Sequence, residues 1–121
     1  MYVADVKRRM SPRIPASIEI WFQLGRREVR GQVVQLNLSG FFAATLEELP
    51  VGELVRMRVA LPDGLEPLRC TGWIRNRHPE RGGVGVQLFA MSKPWLDRWA
   101  AYYHVRRRAL ALEPAREARP A

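Results

Sequence analysis

The sequence predicts a mainly β domain, a small barrel or sandwich closed by one C-terminal helix. Three observations carry that expectation. Six short segments show apolar residues at period two, turn residues separate them, and the period changes to that of a helix near Ser92. With 121 residues the chain has single-domain length, and 47% apolar residues suffice for one core.

Residues 1–15 are polar and basic, and Pro12 and Pro15 disfavour a helix, so they read as an extended arm. From Ala16 a strand begins: Ile18, Ile20, Phe22 and Leu24 alternate with Ser17, Glu19, Trp21 and Gln23. Gly25 marks a turn, and Glu28–Asn37 continues the sheet, with Gly31 a candidate bulge. A polar turn over Asn37–Gly40 leads into the apolar run Phe41–Leu46. Val55, Met57, Val59 and Leu61 then alternate with Arg56, Arg58 and Ala60 before the turn Pro62-Asp63-Gly64. The strand at Pro67–Arg77 has Leu68, Cys70, Gly72 and Ile74 on one face and Arg69, Thr71, Trp73, Arg75 and Arg77 on the other. Glu80–Gly83 closes a hairpin into Val84, Val86 and Leu88. Ser92 can cap a helix over 92–112 with Pro94 in its first turn, leaving 113–121 as a flexible tail. Trp95, Trp99, Tyr102 and Tyr103 form one stripe of that helix, expected to pack on the barrel, so the barrel itself spans 16–91.

Composition narrows function. Twenty basic residues against 12 acidic leave a net charge of +8, and Lys7 and Lys93 are the only lysines. Arginine favours planar, bidentate recognition of phosphates or guanine edges, so an anionic partner is expected. A single cysteine, Cys70, gives no internal disulfide or paired-cysteine zinc site, and His78 and His104 lack metal-ligand spacing. No apolar run has the length of a membrane helix and no apolar signal core opens the chain, so a cytoplasmic protein without membrane insertion is expected. No nucleophile, base and orienting group fall together, so an enzyme is not expected and no cofactor is implied. Cys70 reads as a small core residue.

Two segments stand out. Lys7, Arg8, Arg9 and Arg13 fall within seven residues of an arm stiffened by Pro12 and Pro15. Asn37-Leu38-Ser39-Gly40 reads structurally as a side-chain-stabilised turn, and functionally as an amide and hydroxyl facing a ligand.

Together, Arg9-Met-Ser-Pro-Arg13 and Asn37-Leu38-Ser39 resemble the RxxxR and (D/N)xSxxG signatures of PilZ domains. The likeness extends to the spacing between them, the closing strand Gly83–Phe89 and the helix after it. It implies a six-stranded antiparallel β-barrel with a C-terminal α-helix that binds cyclic di-GMP and relays the signal to an effector protein. Arg9 and Arg13 would clamp phosphates and guanine edges with Arg8 as a third, and Asn37 and Ser39 would bond a guanine. Trp73 would serve as a stacking platform. One nucleotide or an intercalated pair is compatible, hence a monomer or a ligand-linked dimer. The second signature departs at position 42, where Phe stands in place of Gly. Either Gly40 takes that role in a shortened turn or the glycine function is absent.

Two other readings stand beside this one. A degenerate PilZ-like module would bind a protein partner without nucleotide. A nucleic-acid-binding barrel would suit the charge of +8, although the arm and helix end hold much of it.

Overall fold

A computed structural model describes residues 2–3 and 11–112. Seven strands precede one helix: β1 (Tyr2–Val3), β2 (Ile14–Leu24), β3 (Arg27–Leu36), β4 (Gly40–Ala44), β5 (Leu54–Val59), β6 (Leu68–His78), β7 (Gly83–Met91) and α1 (Lys93–Ala111). All pairings are antiparallel. The order β7-β4-β3-β2-β5-β6 returns to β7, so the six long strands close a barrel and remove the open edges of a flat sheet. The two residues of β1 add to the end of β7 at Ala90 and Met91.

Period two becomes an inside and an outside. Ile18, Ile20, Phe22, Val55, Met57, Val59, Leu68 and Ile74 fill the interior, while Glu19, Arg56 and Arg69 face outward. Cys70 is buried, as expected of a core residue, and desolvation pushes its thiol pKa up to about 12. The native protein should therefore resist a thiol reagent at neutral pH and react stoichiometrically once denatured. Fast labelling of the folded chain would contradict this placement.

One boundary and one expected bulge differ from expectation. Strand β2 starts at Ile14 rather than Ala16, so Ile14 and Pro15 belong to the barrel and not to the arm. Pro15 is accommodated beside a register irregularity between Pro15 and Ile18, where an extra residue relieves the ladder. Gly31 is not a bulge, since it pairs regularly with Ile20. It lies where a Cβ would come within 2.8 Å of the Ala44 carbonyl oxygen, so the constraint is strand proximity.

Helix α1 closes the barrel through Leu96, Trp99 and Tyr103, all buried. Ser92 occupies the N-cap, yet its hydroxyl makes no capping bond. Arg98 donates two hydrogen bonds to Asp63 in the β5–β6 turn, and these hold the Asp63 carboxyl below its ordinary pKa. Among the described residues no helix is long and apolar enough to cross a membrane.

Candidate functional site

The polar turn between β3 and β4 is built on one side chain. Asn37 Oδ1 accepts hydrogen bonds from the Ser39 amide (3.0 Å), the Ser39 hydroxyl (3.1 Å) and the Gly40 amide (3.0 Å). Its Nδ2 donates to the Ser11 carbonyl at 3.2 Å, and the Leu38 amide donates to Ser11 Oγ at 3.0 Å. The Asn37 amide in turn donates to the Gly40 carbonyl at 2.9 Å, closing the loop. A short polar side chain can replace backbone partners in this way, which explains Asn at this position without a ligand. Asn37 and Ser39 are each only 8% exposed, so most of their polar surface is turned inward.

Helix α1 secures both limbs of this region. Trp99 Nε1 donates to the Asn37 carbonyl at 3.0 Å, and Tyr103 Oη donates to the Pro12 carbonyl at 2.6 Å. The aromatic stripe does pack on the barrel as expected, and its polar tips fasten the segment leading to Arg13 and the Asn37 turn.

Above the turn lies a groove of about 340 Å³. Arg13, Asn37, Ser39 and Gly40 line it from the N-terminal segment and the turn, and Arg75, Asn76 and Gln87 line it from β6 and β7. Arg13 is exposed, with one long contact of 3.5 Å to Gln35 Oε1. Four of the seven sequence-derived candidates are thus together. Trp73 stands beside the groove: it pairs with Gln87 and packs edge-on against Phe89 at 5.7 Å. Arg8 and Arg9 lie outside the described residues, as do Lys7 and the tail from 113.

Arg75, Asn76 and Gln87 were not singled out by sequence. The available signal was Arg75 on the arginine-bearing face of β6; a register shift between Ile74 and Asn76 turns this stretch toward the groove.

Gly40 has a steric explanation within the sheet itself. Gly40 is not a positive-φ residue; it is the first residue of β4, opposite Gln87. A Cβ there would collide with the Val86 carbonyl oxygen. Phe42 lies within β4, 3% exposed, opposite Gly85 and with the Arg81 guanidinium 4.0 Å from its ring centroid. Position 42 is therefore a covered strand position.

These features define a small barrel module with a groove lined by Arg13 and Arg75 and by the amide side chains of Asn37, Asn76 and Gln87. The family model of the PilZ domain matches residues 7–101, and the chain belongs to that family. No curated protein matches it by sequence. The inhibitor of motility MotI/DgrA of Bacillus subtilis superposes with a TM-score of 0.69 at 16% identity, over 84% of this chain and 52% of that one. YcgR of Escherichia coli, in a complex with c-di-GMP, gives 0.69 at 19% identity, over 93% and 51%. The PilZ domain of CeSA from a cellulose-synthesizing bacterium gives 0.52 at 22% identity, over 75% and 92%. At these identities the likeness is one of fold. The chain spans about half the length of the first two proteins.

Proposed function

We propose that the domain is a cyclic di-GMP receptor that relays the second messenger to a partner protein in the cytoplasm, without chemistry of its own and without a further cofactor. The observation that carries the reading is the convergence of Arg13 and the Asn37–Gly40 turn, 24 or more residues apart in sequence, on one groove with Arg75. Membership of the PilZ family and the fold shared with YcgR, whose structure holds c-di-GMP, support it. Arg9 and Arg13, with Arg8 beside them, supply guanidinium forks for phosphates and for guanine O6 and N7. Arg75 adds a fork from the opposite wall. Asn37 Oδ1 holds the turn, so Asn37 serves mainly to fix the groove, which Ser39 and Gly40 also line. Trp73 offers an aromatic face at the groove's edge.

Calorimetric titration with cyclic di-GMP, alongside GTP and an Arg9→Ala/Arg13→Ala variant, tests the reading. Selective binding that the variant loses is expected, and the stoichiometry distinguishes one nucleotide from a pair. Absence of heat from a folded sample at high micromolar nucleotide would overturn it. Arg13→Ala is expected to weaken binding by about tenfold to a hundredfold, as removal of a charge-assisted contact does. Lys7→Ala should cost far less, and equal losses would point to diffuse electrostatics.

A second reading, a partner-binding module indifferent to nucleotide, is favoured by one observation. Asn37 and Ser39 spend their hydrogen bonds on each other and on Ser11.

A further inference from the structure

The outer face of the β5–β6 hairpin carries an unusual juxtaposition. Arg58 and Arg69 are direct cross-strand partners, a like-charge pairing that works against the sheet. Arg58 is offset: Glu28 accepts its fork at 2.9–3.1 Å, and its guanidinium lies 4.6 Å from the Trp21 ring centroid. Arg69 and the neighbouring Arg56 are exposed, and among the described residues neither has a carboxylate partner. Two positions further along the same face, Leu54 pairs with Trp73, which meets Phe89 of β7. Leu54 is 41% and Phe89 36% exposed, so an apolar end adjoins the cationic end. A groove of about 560 Å³ runs from Arg56, Arg58 and Arg69 to Trp95 of α1, and none of its lining residues lines the Asn37 groove.

We infer that this face docks an acidic segment of a partner protein that carries apolar side chains next to its carboxylates. The deduction rests on the adaptor half of the function proposed above and on nothing in its nucleotide half. Carboxylates would neutralise Arg56 and Arg69 and relieve the opposition of Arg58 and Arg69, while leucine or aromatic side chains would cover Leu54 and Phe89. Leu54 to Arg58 is about 13 Å along a strand, so an extended segment of roughly five residues spans both ends. A nucleic acid fits less well, because a phosphate backbone would engage the arginines and leave the apolar end at Leu54 and Phe89 bare.

The test is fluorescence anisotropy on the full chain, with and without cyclic di-GMP. The probe is a labelled synthetic peptide alternating Asp and Glu with Leu and Trp. Its comparators are the same peptide with Ser for Leu and Trp, and a single-stranded oligonucleotide of equal charge. The first peptide should bind about tenfold tighter than the second, as loss of central apolar contacts predicts. Arg56→Glu/Arg69→Glu should abolish that binding with cyclic di-GMP titrations unchanged, and Leu54→Ser and Phe89→Ser should each weaken it. Arg56→Ala/Arg69→Ala, a milder change, should also weaken it, and thermal melts verify that each variant folds. Equal binding of the two peptides, a tighter oligonucleotide, or indifference to the arginine variants would overturn the inference. Should no peptide bind while cyclic di-GMP does, the docking face falls and the receptor stands; peptide binding without nucleotide binding gives the converse.

Discussion

Trp99→Ala is expected to cost about 3–5 kcal/mol of stability, the range for truncating a large buried aromatic. Trp99 is fully buried, packs against Phe41 with centroids 5.8 Å apart, and holds the Asn37 carbonyl through its indole N–H. Since domains of this size are stable by about 5–15 kcal/mol, much of the margin would go. Trp99→Phe separates the two contributions. It keeps most of the apolar bulk and strands one buried carbonyl, a loss of about 1–3 kcal/mol. Urea denaturation of the three proteins checks the ranking, and nucleotide affinity should fall in the Phe variant because the Asn37 turn loses its anchor. A Trp99→Ala cost below about 1 kcal/mol would mean that the helix is not fastened as described.

The second large effect concerns Gly40. An added methyl in Gly40→Ala points at the Val86 carbonyl across a paired strand, where neither backbone can yield without breaking the β4–β7 ladder. A loss of about 1–3 kcal/mol or more is expected, as for overpacked interiors. The same substitution at Gly64 makes the contrast. There the methyl meets nothing within 4 Å, and the penalty comes only from φ of +75°, about 1–2 kcal/mol. Thermal melts should show Gly40→Ala as the more damaging, with nucleotide binding reduced in that variant alone. The reverse order would mean that β4 and β7 are less tightly joined than their pairing shows.

The barrel was legible because one face of each long strand is buried, which forces apolar residues to alternate along β2, β5 and β6. The helix was legible from the change of period at Ser92. The start of β2 was not legible, because a proline in sequence reads as a strand breaker, whereas a bulge absorbs Pro15 within β2. The candidate site was half legible. Arg13, Asn37, Ser39 and Gly40 are short-range motifs visible in sequence, and the groove brings them together. The turn's own hydrogen bonds onto Asn37 Oδ1 match the side-chain-stabilised turn read from sequence, but its fastening was not visible, because Ser11 lies 26 residues away and Trp99 62 residues away. No local pattern encodes such partners. Arg75 and Gln87 escaped for a similar reason, since the register shift beside Arg75 and the pairing of Gln87 with Gly40 arise between strands.

The hydrogen bond from Tyr103 to the Pro12 carbonyl joins residues 91 apart in sequence, and Tyr103 lies two positions beyond the stretch matched by the family model. Contacts of such long separation are slow to close, since the intervening chain must be ordered before they form. On a ribosome that emits residues one at a time from the N-terminus, Arg13 and the Asn37 turn appear early and wait for their fastening until the middle of α1 emerges. The groove is therefore fastened after all of its lining residues have been made. A nascent chain stalled before Tyr103 carries every described residue of its groove and lacks the clasp that holds the two limbs together, so the groove exists as a sequence before it exists as a shape.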